Sequence, residues 1–490
     1  MRVGRLAVVV VWGVLLLALA RGQWAAAGHE KTSAPPPAPA VADADDTWMG
    51  VYMSGQKVGY SHSRTTPVAE GYQLEETSLL RLSVMDQVQT VRAVIDATTT
   101  SDFAVRAFTV TLDSGLGAFA VRGTADDRTL VLQTGAGGDT SEQHLALGEP
   151  IYLPSSARAR LRGAALEAGR SLTLQVFDPS AMEHQPLTML VQGREALTVG
   201  GKTQQAWKVR ETFRGMETSV WLDDDGRTLR EEGPMGMVVQ REDAAGAIGT
   251  GWGETAFDLM GAIAVHAGRP IADPRHLTHL TARVSGLGEL PVPTDGRQSL
   301  RDGVLRIERE PTAPATYTLP YIGSEWRHEL EATPFLQVDH PRIRDTARAI
   351  LAGETDPRRA AERLRSWVYD ELEKRPVASI PNALQVLDTR VGDCNEHAVL
   401  FAALARAAGL PARVVAGVVY ADGAFLYHAW DEVWLGTGWM TVDPAFDQTP
   451  ADATHVKLVE GGPETHAALI GVVGKLSIDV MPETAGSADS

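Results

Sequence analysis

From residue 48 to about residue 242, stretches of apolar–polar alternation and of β-branched residues recur between turn pairs. Residues 48–60 alternate on either side of Ser54-Gly55, and residues 105–112 are rich in β-branched side chains. Residues 219–222 and 227–230 flank Asp225-Gly226. Such runs predict short antiparallel strands joined by tight turns. With many strands and no helical run, the stretch 47–250 reads as a β-rich domain, either a sandwich or a curved half-barrel. Glycine-rich residues 246–253 close it. Alternation returns at 277–284 and 303–309, so residues 251–335 read as a second, smaller β-rich unit.

Beyond Asp339 the period changes to that of a helix. Pro341 suits a first helical position and is followed by Ile343, Ala347, Ile350 and Leu351. Asp356-Pro357 repeats the signal before a stripe of Ala360, Ala361, Leu364, Trp367, Val368 and Leu372. Arg358, Arg359, Arg363 and Arg365 lie mainly off that stripe, as a solvated face. A third helix opens at Asp393, a good N-cap with Glu396 three residues on. It runs through Ala398, Phe401, Ala402, Leu404, Ala405 and Ala408 until Gly409 and Pro411 stop it. Valine-rich residues 413–420 then predict a strand, Asp422-Gly423 a hairpin turn, and 425–435 a second strand. Gly436-Thr437 suits a two-residue turn before a third strand at 439–443. If Leu435 and Gly438 flank that turn, Asp443 lies opposite Trp430. His428 is then its diagonal neighbour on the same face, within reach of a carboxylate–imidazole contact.

The two ends read differently. Arg2 and Arg5 precede an apolar run at 6–20, with small-residue patterns ending at Ala20 and Ala27. Residues 1–27 therefore read as an export signal, or as a membrane anchor if left uncleaved, and place the protein in the periplasm or outside the cell. Residues 28–46 are a Pro/Ala-rich linker ending in acidic residues, and residues 461–490 read as a C-terminal tail. The 490-residue chain carries 45 basic and 62 acidic residues, a formal charge of −17. That charge argues against nucleic acid or an anionic membrane surface as a partner. No phosphate-binding glycine loop, paired-cysteine site or nucleotide fingerprint occurs, so no cofactor is expected. His276 and His279 lack acidic or thiol partners at ligand spacing and read as strand residues, so no metal is expected.

One residue carries most of the chemical weight. Cys394 is the single cysteine, so it forms no internal disulfide, and it falls at the first position of the third helix. There the free N–H groups and the helix dipole favour a thiolate. The position fits a buried core cysteine equally well. His428 and Asp443 follow in order and shift the balance toward a thiol nucleophile with a base and an orienting carboxylate. The segments Gly392-Asp393-Cys394, His428-Ala429-Trp430-Asp431-Glu432-Val433 and Trp439-Met440-Thr441-Val442-Asp443-Pro444 resemble the bacterial transglutaminase-like core, a papain-like cysteine fold, across about 339–448. The resemblance implies Cys394 as nucleophile, His428 as general base and acid, and Asp443 as the orienter of His428. It also implies an α+β class: a papain-like core of helices plus antiparallel sheet at 336–460, preceded by the β-rich domains.

Gln385 is a weaker oxyanion candidate than the backbone N–H of Cys394. His397 lies in the cysteine's own helix, Trp430 could shield the site from water, and Glu432 reads as an arginine's partner. The expected reaction is attack on an amide through a thioester, with a protein or peptide substrate, a cell-wall peptide included. Water is the default acceptor, giving a peptidase or amidase ahead of a cross-linking enzyme. Two other readings stand beside it: an exported binding or assembly protein that keeps the fold without catalysis, and a β domain that holds an apolar ligand.

Overall fold

The computed structural model describes residues 45–482, apart from 85–86, 115–117, 137–138, 164–165, 180, 214–215, 250–251, 253–255, 312–313, 376 and 378–381. The signal at 1–27 and nearly all of the linker lie outside the described residues; the last linker residues, Asp45 and Asp46, already belong to the first strand, Asp45–Met53. The chain divides into two compact units, which part between Leu259 and Met260.

The first unit is built on one sixteen-stranded sheet. Strands from Asp45–Met53 to Asp139–Ala146 pair in sequence order. A second run, from Ile151–Tyr152 to Met237–Glu242, joins them where Met237–Glu242 pairs antiparallel with Asp45–Met53. Of the two expected architectures, a sandwich needs two separate sheets, and this unit has one. The turn signals work as read: Ser54 and Gly55 both have positive φ (48° and 82°) between Asp45–Met53 and Gln56–Val68, the geometry of a primed hairpin turn. Met49, Val51, Leu80, Leu82, Val110 and Val121 are buried.

Sequence gave no sign of the unit's buried charges. Arg158 closes the helix turn Pro154–Ala159. Its Nε and Nη2 donate to the two carboxylate oxygens of Glu211 (2.8 and 2.9 Å), and its Nη1 donates to Glu231 Oε1 (2.6 Å). All three residues are buried.

The second unit holds the helices. His340 caps Pro341–Leu351 and Asp356 caps Pro357–Glu371, each side chain accepting a backbone N–H of the first turn. Ile343, Ala347, Ala360, Ala361, Leu364 and Val368 form their buried faces, as the period predicts. The arginines off the stripe pair at the surface: Arg359 with Glu354, Arg358 with Glu362 and Arg365 with Asp447.

The predicted hairpin forms as Ala412–Ala421 and Ala424–Trp434, turning through Asp422 and Gly423 at positive φ. Trp439–Val442 adds antiparallel to the second strand, and Val456–Glu460 to the first. The segment after residue 260 and the C-terminal stretch do not stand apart. Strand Ser477–Val480 pairs with His279–Ser285, which pairs with Val304–Glu308, so all three share a four-stranded sheet within this unit. Burial of Leu469, Ile470, Val473 and Ile478 ties that stretch down. Strands outnumber helices throughout, so the molecule is β-dominated, and the α+β description fits only the second unit. Among the described residues, no helix is long and apolar enough to cross a membrane.

Candidate active site

Cys394 is the first residue of the helix Cys394–Ala407, whose start is built as the capping pattern predicts. Asp393 is extended; its Oδ1 accepts the Asn395 N–H (3.0 Å), and Glu396 Oε2 accepts the Asp393 N–H (3.0 Å). The glycine before them is required. A Cβ on Gly392 would come within 2.2 Å of the Glu396 Cβ, so any other residue would displace the cap. Such a cap is worth about 1 kcal/mol, and it aims the helix start, with Cys394 fully buried. Burial, and then the neighbouring Glu396, push the Asp393 carboxyl well above the ordinary range.

The helix packs on the strand Ala424–Trp434. Leu435 donates its N–H to Gly438 O (3.0 Å), and the register runs Trp434–Trp439, Val433–Met440, Glu432–Thr441 and Asp431–Val442. One step further places Asp443 opposite Trp430, as the turn predicts. His428 Nε2 lies 2.9 Å from Asp443 Oδ2, and both residues are fully buried. An ionised carboxylate only accepts, so Nε2 carries the hydrogen and Nδ1 keeps the lone pair. Nδ1 has no hydrogen-bond partner among the described residues. Burial lowers the His428 pKa further than Asp443 raises it, and His455 and Arg275 add to the lowering. The ring is thus a neutral base. Phe446 stacks on it at 4.8 Å and 16°, and Trp430 lies at 6.0 Å and 20°.

The Asp443 side chain is saturated. Its Oδ1 accepts the N–H groups of Ala445 (2.8 Å) and Phe446 (3.0 Å), while Oδ2 takes a second imidazole, His455 Nε2, at 3.0 Å. Burial alone would raise this carboxyl, but the charges and hydrogen bonds of His428 and His455 outweigh it and hold it far below the carboxylate range. His455 escaped the sequence reading. It follows a loop pinned by mutual Asp443–Gln448 backbone hydrogen bonds, and no period or spacing signals where such a loop returns.

Other candidates fall elsewhere. Gln385 lies in the helix Ala383–Thr389, its N–H donating to the Asn382 cap. His397 Nδ1 is 2.6 Å from Asp393 O, and burial lowers its pKa to about 4, so it is a neutral helix residue. Glu432 is bound by Arg413 (2.8 Å) and Lys457 (2.9 Å), the structural role expected of it with a second cation added. His276 ends the short 3-10 turn Pro274–His276 instead of lying in a strand, and pairs with Asp273 at the surface, whereas His279 opens a strand as read. Asp431 is buried with neither carboxylate oxygen bonded, and both polar side-chain atoms of Asn395 likewise lack partners among the described residues. His428, Asp443 and His455 offer ligand atoms within 4.8 Å of one another. Both Nε2 atoms lie within hydrogen-bond distance of the same oxygen, Asp443 Oδ2 (2.9 and 3.0 Å). The comparable group Asp295, Glu432 and Glu460 is bridged by Arg413 and Lys457.

Residues 344–444 match the model of the transglutaminase-like superfamily, and this segment is a transglutaminase-like core. A protein-glutamine gamma-glutamyltransferase of Pseudomonas aeruginosa is 41% identical over 76 residues, covering 13% of this chain and 11% of that protein. An uncharacterized Haemophilus influenzae protein is 31% identical over 172 residues, covering 28% of this chain and 46% of its own length. The chain thus spans less than half of either curated relative. Among solved structures, the periplasmic domain of TgpA from Pseudomonas aeruginosa, bound to ethylmercury, is 23% identical with a TM-score of 0.22. It covers 37% of this chain and 70% of that domain.

Proposed function

We propose that the core is an exported cysteine acyltransferase acting on amides, with Cys394 as nucleophile, His428 as base and acid, and Asp443 as the residue that orients His428. The observation that carries this reading is the 2.9 Å contact of His428 Nε2 with Asp443 Oδ2, which assigns the ring hydrogen to Nε2 and leaves Nδ1, unbonded among the described residues, with its lone pair. Cys394 Sγ gives its proton to His428 Nδ1 and forms a bond to the substrate carbonyl carbon, and the backbone N–H of Cys394 stabilises the resulting oxyanion. The C–N bond then breaks, the amine leaving with the proton from His428. An acceptor gives a proton back to His428, bonds to the carbonyl carbon and displaces Sγ. Water as acceptor gives hydrolysis, the leading outcome for a protein or peptide substrate. An amine gives a cross-link, a second outcome favoured by the name of the Pseudomonas aeruginosa relative. Export rests on the N-terminal sequence.

The test is the rate of Cys394 alkylation by iodoacetamide from pH 5 to 9, in wild type and in His428→Ala. An isolated thiol, with a pKa of about 8.5, reacts slowly below about pH 7. The proposal requires fast reaction near pH 6 that falls at least tenfold in His428→Ala. A rate that climbs only above pH 8 in both proteins overturns it and returns the core to a binding role.

A further inference from the structure

His455 is wedged between two carboxylates. Its Nε2 faces Asp443 Oδ2 (3.0 Å), and its Nδ1 faces Asp452 Oδ1 and the Asp452 backbone oxygen (both 3.2 Å). Every one of these partners is an acceptor. An imidazole with acceptors at both nitrogens satisfies them only by carrying a hydrogen on each, which makes it a cation. Asp452 has no proton to lend. Its Oδ1 already accepts the Thr454 N–H (2.8 Å) and hydroxyl (2.5 Å), and its Oδ2 accepts Arg275 Nη1 (2.6 Å). Asp443, Asp452, Thr454 and His455 all belong to the segment between the strands Trp439–Val442 and Val456–Glu460.

We infer that His455 is a permanently protonated positioning residue that locks Asp443 in place and keeps His428 neutral with its Nδ1 lone pair available. The inference rests on the roles proposed above for Cys394 and His428. Three observations support it. The same oxygen of Asp443 serves both rings, so His455 takes up part of the negative charge that would otherwise draw a second proton onto His428. The two ring centroids lie 5.8 Å apart, near enough for the His455 charge to oppose protonation of His428. The charged and titratable groups that face His455 are Asp443, Asp452 and His428, with Arg275 behind Asp452. Burial alone would lower its pKa, but Asp452 and Asp443 raise it.

The glycine on the neighbouring strand fits this arrangement. Gly417 pairs directly with His428 across the hairpin, and a Cβ on it would stand 1.9 Å from Val456 O. Absence of a side chain there lets the strand after His455 approach closely enough to bring the second imidazole over Asp443.

The test uses the full chain labelled with 15N-histidine. Long-range 1H–15N spectra should show one imidazole protonated on both nitrogens from pH 5 to about pH 8, and its signals should vanish in His455→Gln. Glutamine retains a donor toward Asp443 but carries no charge, so it separates geometry from electrostatics. Whichever of Cys394 and His428 loses the first proton, removing a neighbouring positive charge raises its pKa. The acid limb of the alkylation profile should therefore move up by about one pH unit in His455→Gln, with its plateau kept within about threefold. A His455 ring with one bare nitrogen at pH 7 in the wild type overturns the inference, and that spectrum decides even if the variant does not fold. A limb that stays in place while the melting temperature falls overturns it too, leaving His455 a purely structural residue. A profile insensitive to His428→Ala instead removes the proposed function, and the wild-type spectrum still reports the charge of His455.

Discussion

Two buried charge clusters, one in each unit, show how differently a protein can use ions out of water. In the sheet unit, each guanidinium nitrogen of Arg158 donates to Glu211 or Glu231. In the core, Asp443 is bound on both oxygens, yet the chain of hydrogen bonds ends on an open nitrogen, His428 Nδ1. The first cluster closes on its cation, with Glu231 Oε2 the one carboxylate atom left over. The second passes order along a line, from Arg275 through Asp452, His455 and Asp443 to His428, and delivers a lone pair at its end. A cluster that only stabilises needs no such end.

The comparison breaks first at Arg158. Truncation to alanine strands two buried carboxylates and should cost about 3–5 kcal/mol, read from urea unfolding of the full chain, and replacement of all three residues by apolar ones should recover most of it. Burial already raises the Glu211 carboxyl despite its arginine, so part of the lost stability in Arg158→Ala should return as the pH falls and Glu211 protonates. A loss below about 1 kcal/mol would mean that the cluster is hydrated and that its closure is no guide to its role.

Gly417→Ala is the next break, aimed at the core. Its new methyl meets backbone, not a flexible side chain, so the strand Val456–Glu460 must shift. A stability loss of about 1–3 kcal/mol is expected, together with an alkylation rate at pH 6 reduced at least tenfold as His455 and Asp443 lose register. Unchanged alkylation in a destabilised protein would show that the second imidazole does not govern the first.

Much of the core is legible in the sequence. The capping pair Asp393 and Glu396, the stop at Gly409 and the two-residue turn at Gly436-Thr437 are local chemistry, and local chemistry set the His428–Asp443 register correctly. The β character of the sheet unit and a few of its strands, such as those flanking Ser54-Gly55 and Asp225-Gly226, are legible from alternation and turn pairs, but the joining of its strands into a single sheet is not. That joining depends on Met237–Glu242 meeting Asp45–Met53, a contact between distant segments that no period encodes. For the same reason the stretch after residue 461 read as a tail, although Ser477–Val480 completes a sheet. His455, Asp452 and Arg275 were invisible because a loop and a turn bring them together. The buried cation Arg158 looked like any surface arginine.

The smallest effect tests what lies on the other face of the His428 strand. Asp431 is buried, neither of its oxygens has a hydrogen bond among the described residues, and burial, with Asp443 nearby, pushes its carboxyl well above the ordinary range. The unfolded chain releases this proton near pH 4, while the folded chain holds it, so the folded state binds more protons as the pH rises. Asp431 therefore weighs nothing against folding below about pH 4 and progressively more above it. Asparagine imitates the protonated form and never has to ionise. Asp431→Asn should match the wild type in melting temperature near pH 4 and exceed it increasingly toward pH 8, with the Cys394 alkylation profile unmoved, because the side chain lies on the face opposite His428. Equal pH dependence in the two proteins would mean that Asp431 ionises in the fold. Water or an unseen donor would then reach it, and the polar side chains of this strand would be open on both of its faces.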